Sequence, residues 1–142
     1  MSKTIAPYST SIYWEDTDAS GIVYHANYVR FLERARSEWA RALGINQETL
    51  RNKERKALVI ANLEIDFKRS AKLDDKITVT TELVTLKKAS FIVEQKIFRD
   101  TTLLVKAHVR LGFIDIDSGR PIAFGDDLIA AFTPYLTEEP TP

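Results

Sequence analysis

Tyr28-Val29-Arg30-Phe31-Leu32-Glu33-Arg34-Ala35-Arg36-Ser37-Glu38-Trp39-Ala40-Arg41-Ala42-Leu43-Gly44 is the stretch on which the fold turns. Tyr28, Phe31, Leu32, Ala35, Trp39, Ala42 and Leu43 recur at the three-and-four spacing that gathers side chains on one helical face. Arg30, Glu33, Arg34, Ser37 and Arg41 fall mostly on the opposite side, and Arg34 with Glu38 has the i,i+4 spacing of a surface ion pair. Asn27 is the expected N-cap and Gly44 the expected stop. No other segment predicts a long helix. A second, mostly polar helix is expected from Asn46 to about Arg55.

Working outward, the rest reads as strands. Residues 8–14, with Tyr8, Ile12, Tyr13 and Trp14, predict a short strand ahead of the helix. In residues 59–67 every odd position is apolar and most even ones are polar, the period-two signature of a half-buried strand. Lys76–Leu86, residues 89–99 and Thr102–Asp115 follow as three more. The connections around Lys87-Lys88, Asp100-Thr101 and Asp117-Ser118-Gly119-Arg120 are too short for anything but antiparallel neighbours, so these strands predict a meander. A short helix near Asp126–Phe132 and a frayed, proline-containing tail at 133–142 complete the expectation. No repeat, linker or low-complexity segment divides the chain, so residues 1–142 are expected to be one domain. One long helix and several long antiparallel strands predict a two-layer α+β fold, the sheet curled around the helix. Such a sheet leaves edges and apolar surface over, which favours a homodimer or homotetramer.

Composition excludes more than it selects. Of 142 residues, 44% are hydrophobic, enough for a proper core. Twenty basic residues balance twenty acidic ones, so no net field points to nucleic acid or a membrane surface. With no cysteine in the chain, disulfides, thiolate metal sites and a cysteine nucleophile are ruled out. No apolar run approaches a membrane span and the N-terminus lacks a signal-peptide core, so a cytoplasmic location is expected.

The chemistry concentrates at the junction before the helix, Glu15-Asp16-Thr17-Asp18-Ala19-Ser20-Gly21-Ile22-Val23-Tyr24-His25-Ala26-Asn27-Tyr28. Asp16 to Gly21 opens like an EF-hand calcium loop. That loop needs a preceding helix and a bidentate glutamate at its twelfth position, where this chain has Asn27. Two readings remain. Asp, Ser and Gly can simply form a strand-to-helix turn. Alternatively a carboxylate stands near a helix N-terminus, whose free N–H groups stabilise charge developing on a substrate oxygen. The second arrangement suits acyl transfer from a good leaving group such as a thiolate, by direct attack or by activating water.

The junction, with Trp14 before it and Phe31-Leu32-Glu33-Arg34-Ala35-Arg36-Ser37-Glu38 after it, closely resembles the YbgC-type acyl-CoA thioesterases. These form part of the 4-hydroxybenzoyl-CoA thioesterase branch of the hotdog-fold superfamily. The resemblance runs over nearly the whole chain, including Leu73-Asp74-Asp75. It implies a hotdog fold and hydrolysis of an acyl-CoA or acyl-carrier-protein thioester to a free acid and a thiol. Asp18 becomes the catalytic residue, with Asp16 ordering the loop and helix N-terminal amides around His25 polarising the carbonyl. Gly21 and Tyr24 join His25 as expected positioning residues, and no metal or cofactor is implied beyond the coenzyme A of the substrate. Ser20 stands where glycine is common, a change expected to leave the chemistry alone, and Ile122-Ala123-Phe124-Gly125 replaces a more usual proline-containing stretch.

Around that core, Tyr13, Tyr24 and Tyr28 are expected as half-buried aromatics at the pocket mouth. Lys68, Arg69, Lys72, Lys87 and Lys88 at strand ends are candidates to meet coenzyme A phosphates or an acidic carrier protein, against the alternative of a solvated rim. The side chain of His25 is a possible helper, and His108 reads as a solvated surface histidine. Two other classes remain alternatives. A non-catalytic acyl-binding or scaffold role follows from the association of YbgC-type proteins with the envelope Tol-Pal system. A hotdog hydratase or dehydratase would use a histidine-centred site, which two histidines and the placement of Asp18 argue against.

Overall fold

A computed structural model describes residues 2–137. In chain order the elements are β1 (Tyr8–Ser11), α1 (His25–Ala42), α2 (Gln47–Thr49), β2 (Lys56–Phe67), β3 (Lys76–Leu86), β4 (Ser90–Arg99), β5 (Thr102–Asp115) and α3 (Asp126–Phe132). The strands form one antiparallel sheet in the order β1-β3-β4-β5-β2. β3, β4 and β5 are the expected meander. β2, which precedes them in sequence, crosses to the far edge and pairs with β5.

α1 is the filling. Tyr28, Phe31, Leu32, Ala35 and Trp39 are all buried, as the spacing predicts. Two core clusters result, one around Tyr28, Phe31 and Ile97, the other around Trp39, Phe91, Phe124 and Phe132. Three register shifts, at Ile60/Asn62, Leu83/Thr85 and Ile97/Phe98, add the local twist that lets the sheet curl about the helix. A curled antiparallel sheet wrapped around one long helix is the hotdog arrangement.

Several details depart from the sequence reading. Helix α1 begins at His25 with Tyr24 as N-cap, and the Asn27 side chain is used elsewhere. Ala42 is exposed and Leu43 half-buried, whereas Ala40 and Arg36 are buried. Glu38 pairs with Arg41 at 2.6 Å and not with Arg34. The polar second helix is only α2 plus a π-helical turn over Leu50–Glu54, ended by Arg55 in the left-handed region. The expected first strand stops at Ser11, and Trp14–Asp16 is a 3-10 turn.

In β2 the bulge at Ala61 inserts one residue and reverses the alternation. Leu58 before it and Leu63 and Ile65 after it pack on the core side, leaving the odd-numbered Val59 outside. The tail also differs. Thr133–Tyr135 form a 3-10 turn, Leu136 bridges Leu83, and Thr137 N–H donates to Leu83 O at 2.8 Å. Those backbone bonds hold the chain to β3 as far as Thr137. The remainder of the expected tail, 138–142, lies outside the described residues.

Candidate functional site

The junction folds as a stapled loop. Leu73 N–H donates to Gly21 O at 2.9 Å and Val23 N–H to Ala71 O at 3.0 Å, so the Asp18 loop pairs with the 70–75 segment. Ile12 and Asp74–Asp75 add two more backbone bonds, Ile12 N–H to Asp75 O and Asp74 N–H to Ile12 O. Asp75 accepts from Lys72 N–H at 2.8 Å and from Arg99 at 2.9 Å, bracing that segment against the end of β4. Those partners hold the Asp75 carboxyl below the usual carboxylate range although burial pushes the other way. The resemblance pointed at Leu73-Asp74-Asp75; its physical use here is to carry the loop.

Asp16 and Asp18 have different surroundings. Asp16 is buried; its carboxylate accepts Tyr13 N–H at 2.9 Å, and its carbonyl accepts Tyr24 N–H and the Asn27 amide. It ties the loop to the helix start. Asp18 is exposed, and its Oδ1 accepts both the N–H and the hydroxyl of Ser20. The Ser20 hydroxyl first, then the Ser20 amide, holds the Asp18 carboxyl below the usual carboxylate range. Ser20 therefore acts on the candidate catalytic group directly, contrary to the expectation that this substitution is silent. Gly21 closes the turn with its N–H on Asp18 O at 3.1 Å and φ of +83°, a left-handed conformation that other residues adopt only with strain.

At the helix start, Tyr24 supplies no side-chain cap. Asn27 N–H donates to Tyr24 O, while among the described residues the N–H groups of His25 and Ala26 meet no acceptor. An eighteen-residue helix therefore presents open amides and the positive end of its dipole beside the Asp18 loop. The exposed His25 ring makes no hydrogen bond to a described residue. It stands edge-on to Phe67 with ring centroids 5.0 Å apart.

The three tyrosines separate. Tyr13 and Tyr24 are exposed, at 61% and 59%, and with the exposed Trp14 and Ile22 they flank Asp18 along the chain on either side. Tyr28 is buried, and its hydroxyl oxygen accepts Ala71 N–H at 2.9 Å. It pins the segment to which the Asp18 loop is stapled. Tyr28→Phe should therefore leave the Ala71 N–H without a partner and cost about 1–3 kcal/mol of stability, measurable by urea denaturation.

The basic residues also divide. Lys68 and Arg69, with His25, Tyr28, Phe67 and Ser70, line a cavity of about 130 Å³ at the helix start. Lys87 and Lys88 lie in the β3–β4 turn, at the opposite end of the sheet. His108 is on the outer face, as expected, but is paired: its Nε2 lies 2.9 Å from Glu94, which also has Lys96 and Lys106 within 4.0 Å.

Two polar residues in the core escaped the sequence reading. Gln95 is fully buried on β4 between Val93 and Ile97, and Arg36 is 9% exposed on α1. The Arg36 guanidinium donates to Gln95 Oε1 at 3.0 Å, and Gln95 Nε2 donates to Leu32 O and to the Thr81 hydroxyl. A signal was present. Gln95 occupies an in-phase position of the alternating run Phe91, Val93, Gln95, Ile97, and Arg36 follows Leu32 by four.

Comparison with known proteins agrees with this architecture. Residues 12–132 match the model of the thioesterase-like superfamily. The acyl-CoA thioesterase YbgC of Haemophilus influenzae is 44% identical over 121 residues, 85% of this chain and 89% of that protein. The acyl-CoA thioester hydrolase YbgC of Escherichia coli is 35% identical over 133 residues, 93% of this chain and 98% of that one. The crystal structure of a probable thioesterase from Bartonella henselae superposes with a TM-score of 0.79 at 36% identity, covering 84% of this chain and 98% of that one. With its one long helix inside a curled five-stranded sheet and a family match from Ile12 to Phe132, the chain belongs to the hotdog-fold thioesterase-like superfamily, alongside the YbgC acyl-CoA thioesterases.

Proposed function

We propose that this chain hydrolyses acyl-CoA thioesters, with Asp18 as the reacting carboxylate and the amides of His25 and Ala26 as the oxyanion site. One observation carries the reading: among the described residues, a carboxylate with one oxygen unbonded leads through the same stapled loop to helix N–H groups that meet no acceptor. The thioester carbonyl oxygen sits on those amides, which meet the negative charge as the carbonyl carbon turns tetrahedral. Asp18 then attacks that carbon, or takes a proton from the water that does. The C–S bond breaks, the thiolate leaves, and a free acid remains. Lys68 and Arg69 beside the site suit the phosphates of the coenzyme. The exposed side chains of Tyr13, Trp14, Ile22 and Tyr24 suit the acyl or pantetheine portion.

Assembly as a homo-oligomer is part of the same proposal. β2 is a twelve-residue edge strand with Val59, Ile60 and Phe67 more than a third exposed. Long apolar edges of this kind invite strand pairing with a second copy. Antiparallel pairing of β2 with its own copy would bring the Lys56 end of one protomer to the His25 end of the other. Light scattering on the purified chain checks it.

Thiol release measured over short, long and aromatic acyl-CoAs tests the catalytic reading. A folded wild-type protein that liberates coenzyme A from none of them would overturn it. The pH profile adds a second check. Ser20 holds the Asp18 pKa down, so activity that needs the carboxylate survives acidification and falls only below the ordinary range, about pH 4. Ser20→Ala removes the largest of those contributions and should move the acid limb of kcat/KM upward.

A further inference from the structure

Ser20 places two donors on a single oxygen of Asp18. Its N–H lies 2.8 Å from Oδ1 and its hydroxyl bonds the same atom, while Oδ2 accepts no hydrogen bond from a described residue. The two bonds are not equivalent. The N–H bond, together with the Gly21 N–H on Asp18 O at 3.1 Å, closes the turn by backbone alone, and a glycine at position 20 would supply it equally well. The hydroxyl bond is additional. Ser20 is exposed, and among the described residues its hydroxyl has no other partner.

Little else answers the charge on Asp18. Asp16 turns its carboxylate to Tyr13 N–H, and Asp75 turns its own to Lys72 N–H and Arg99. Among the described residues no lysine, arginine or histidine lies within ion-pair distance of Asp18. The Ser20 hydroxyl is the largest influence holding the Asp18 carboxyl below its ordinary range, ahead of the Ser20 amide; the Ile22 backbone adds less, and burial opposes them.

That bond acts on the resting state more than on the reaction. A hydrogen bond to a full carboxylate is charge-assisted and weakens as charge leaves the oxygens. Charge leaves in either route open to Asp18, attack on the carbonyl carbon or removal of a proton from water. The hydroxyl therefore stabilises the free carboxylate more than the transition state, and an interaction of that kind slows the chemical step. Orientation pulls the other way, since engaging Oδ1 leaves Oδ2 as the oxygen that reacts. The Ser20 N–H holds the same atom without help from the hydroxyl, so the slowing is the larger effect.

We propose that Ser20 is a positioning residue that commits Oδ2 of Asp18 to the reaction and, through its hydroxyl, restrains the chemical step at neutral pH while extending activity into acid. The inference rests on Asp18 being the reacting carboxylate, and it adds the residue that sets the speed and working range of that group.

Ser20→Ala deletes the hydroxyl and keeps the N–H. Single-turnover hydrolysis at neutral pH, which reads chemistry apart from product release, should become about 2- to 10-fold faster, because added basicity is expressed only in part in the rate. On acidification the same variant should lose activity at a higher pH than wild type, since a carboxyl no longer held down by the hydroxyl protonates earlier. Carbon-13 NMR titration of the Asp18 carboxyl reads that shift with no substrate present. Ser20→Gly should behave as Ser20→Ala. Ser20→Thr returns a hydroxyl and should move rate, acid limb and titration back toward wild type, which a purely structural role of the turn does not predict. A Ser20→Ala protein with the wild-type melting temperature whose neutral-pH step is unchanged or slower, or whose Asp18 titrates as in wild type, would overturn the proposal. Asp18→Asn separates the two levels. If it is inactive while Ser20→Ala matches wild type, the restraint is absent and the hydrolase reading stands. If it stays fully active, Asp18 is not the reacting group and both fall.

Discussion

Asp18→Asn should lower thiol release from acyl-CoA substrates by about 10²–10⁴-fold, which is ~3–5 kcal/mol of transition-state stabilisation. The substitution is close to a pure chemical deletion. Asp18 is exposed, and the Asn carbonyl oxygen still accepts the Ser20 N–H and hydroxyl, so the loop bonds survive. Melting temperature and oligomeric state should therefore match wild type. Full activity in a folded Asp18→Asn protein would remove Asp18 from the mechanism. His25→Ala supplies the contrast: its proposed contribution is a backbone amide that alanine retains, so the loss should stay under about tenfold. Single-turnover hydrolysis in ¹⁸O-labelled water then separates the two roles of the carboxylate. Attack by Asp18 forms an acyl anhydride whose hydrolysis can leave label in the Asp18 side chain, whereas general-base catalysis leaves it only in the released acid.

How much of this was legible in the sequence depends on the range of the interactions involved. The α1 core face, the three meander strands and the α3 segment are periodic, and local period is what a sequence displays openly. The boundaries of the three meander strands moved by only a residue or so, whereas the first strand ends three residues early at Ser11 and in β2 one inserted residue reversed the alternation. A bulge depends on pairing with β5 and leaves no period of its own. Asn27 looked like an N-cap because its type suits that role. Its side chain instead satisfies Asp16 O, a contact eleven residues away that depends on the fold of the loop. The Tyr28–Ala71 bond spans forty-three residues and was equally invisible. At the site, residue type and order single out the loop, and resemblance chose Asp18 within it. Neither indicated that Ser20 would hydrogen-bond the carboxylate, because a two-residue contact of that kind is set by the backbone turn at Gly21.

Gln95→Ala should be among the most damaging single changes in the core, costing about 3–5 kcal/mol. Truncation removes the Gln95 acceptor of a buried guanidinium and leaves the Arg36 charge without a hydrogen-bond acceptor among the described residues. It also withdraws a donor from Thr81 and from Leu32 O, and it opens a void between α1 and β4. For a chain of this length the loss corresponds to a melting-temperature drop on the order of 10 °C. The charge argument is separable from the void. Gln95→Leu refills most of the volume but still strands Arg36, so it should remain clearly destabilised. Combining Gln95→Leu with Arg36→Met replaces the whole polar device with apolar side chains of similar size and should recover most of the stability, as expected when both partners of a buried polar pair are removed together. A double variant no more stable than Gln95→Leu alone would mean that the cost lies in packing and not in the stranded cation.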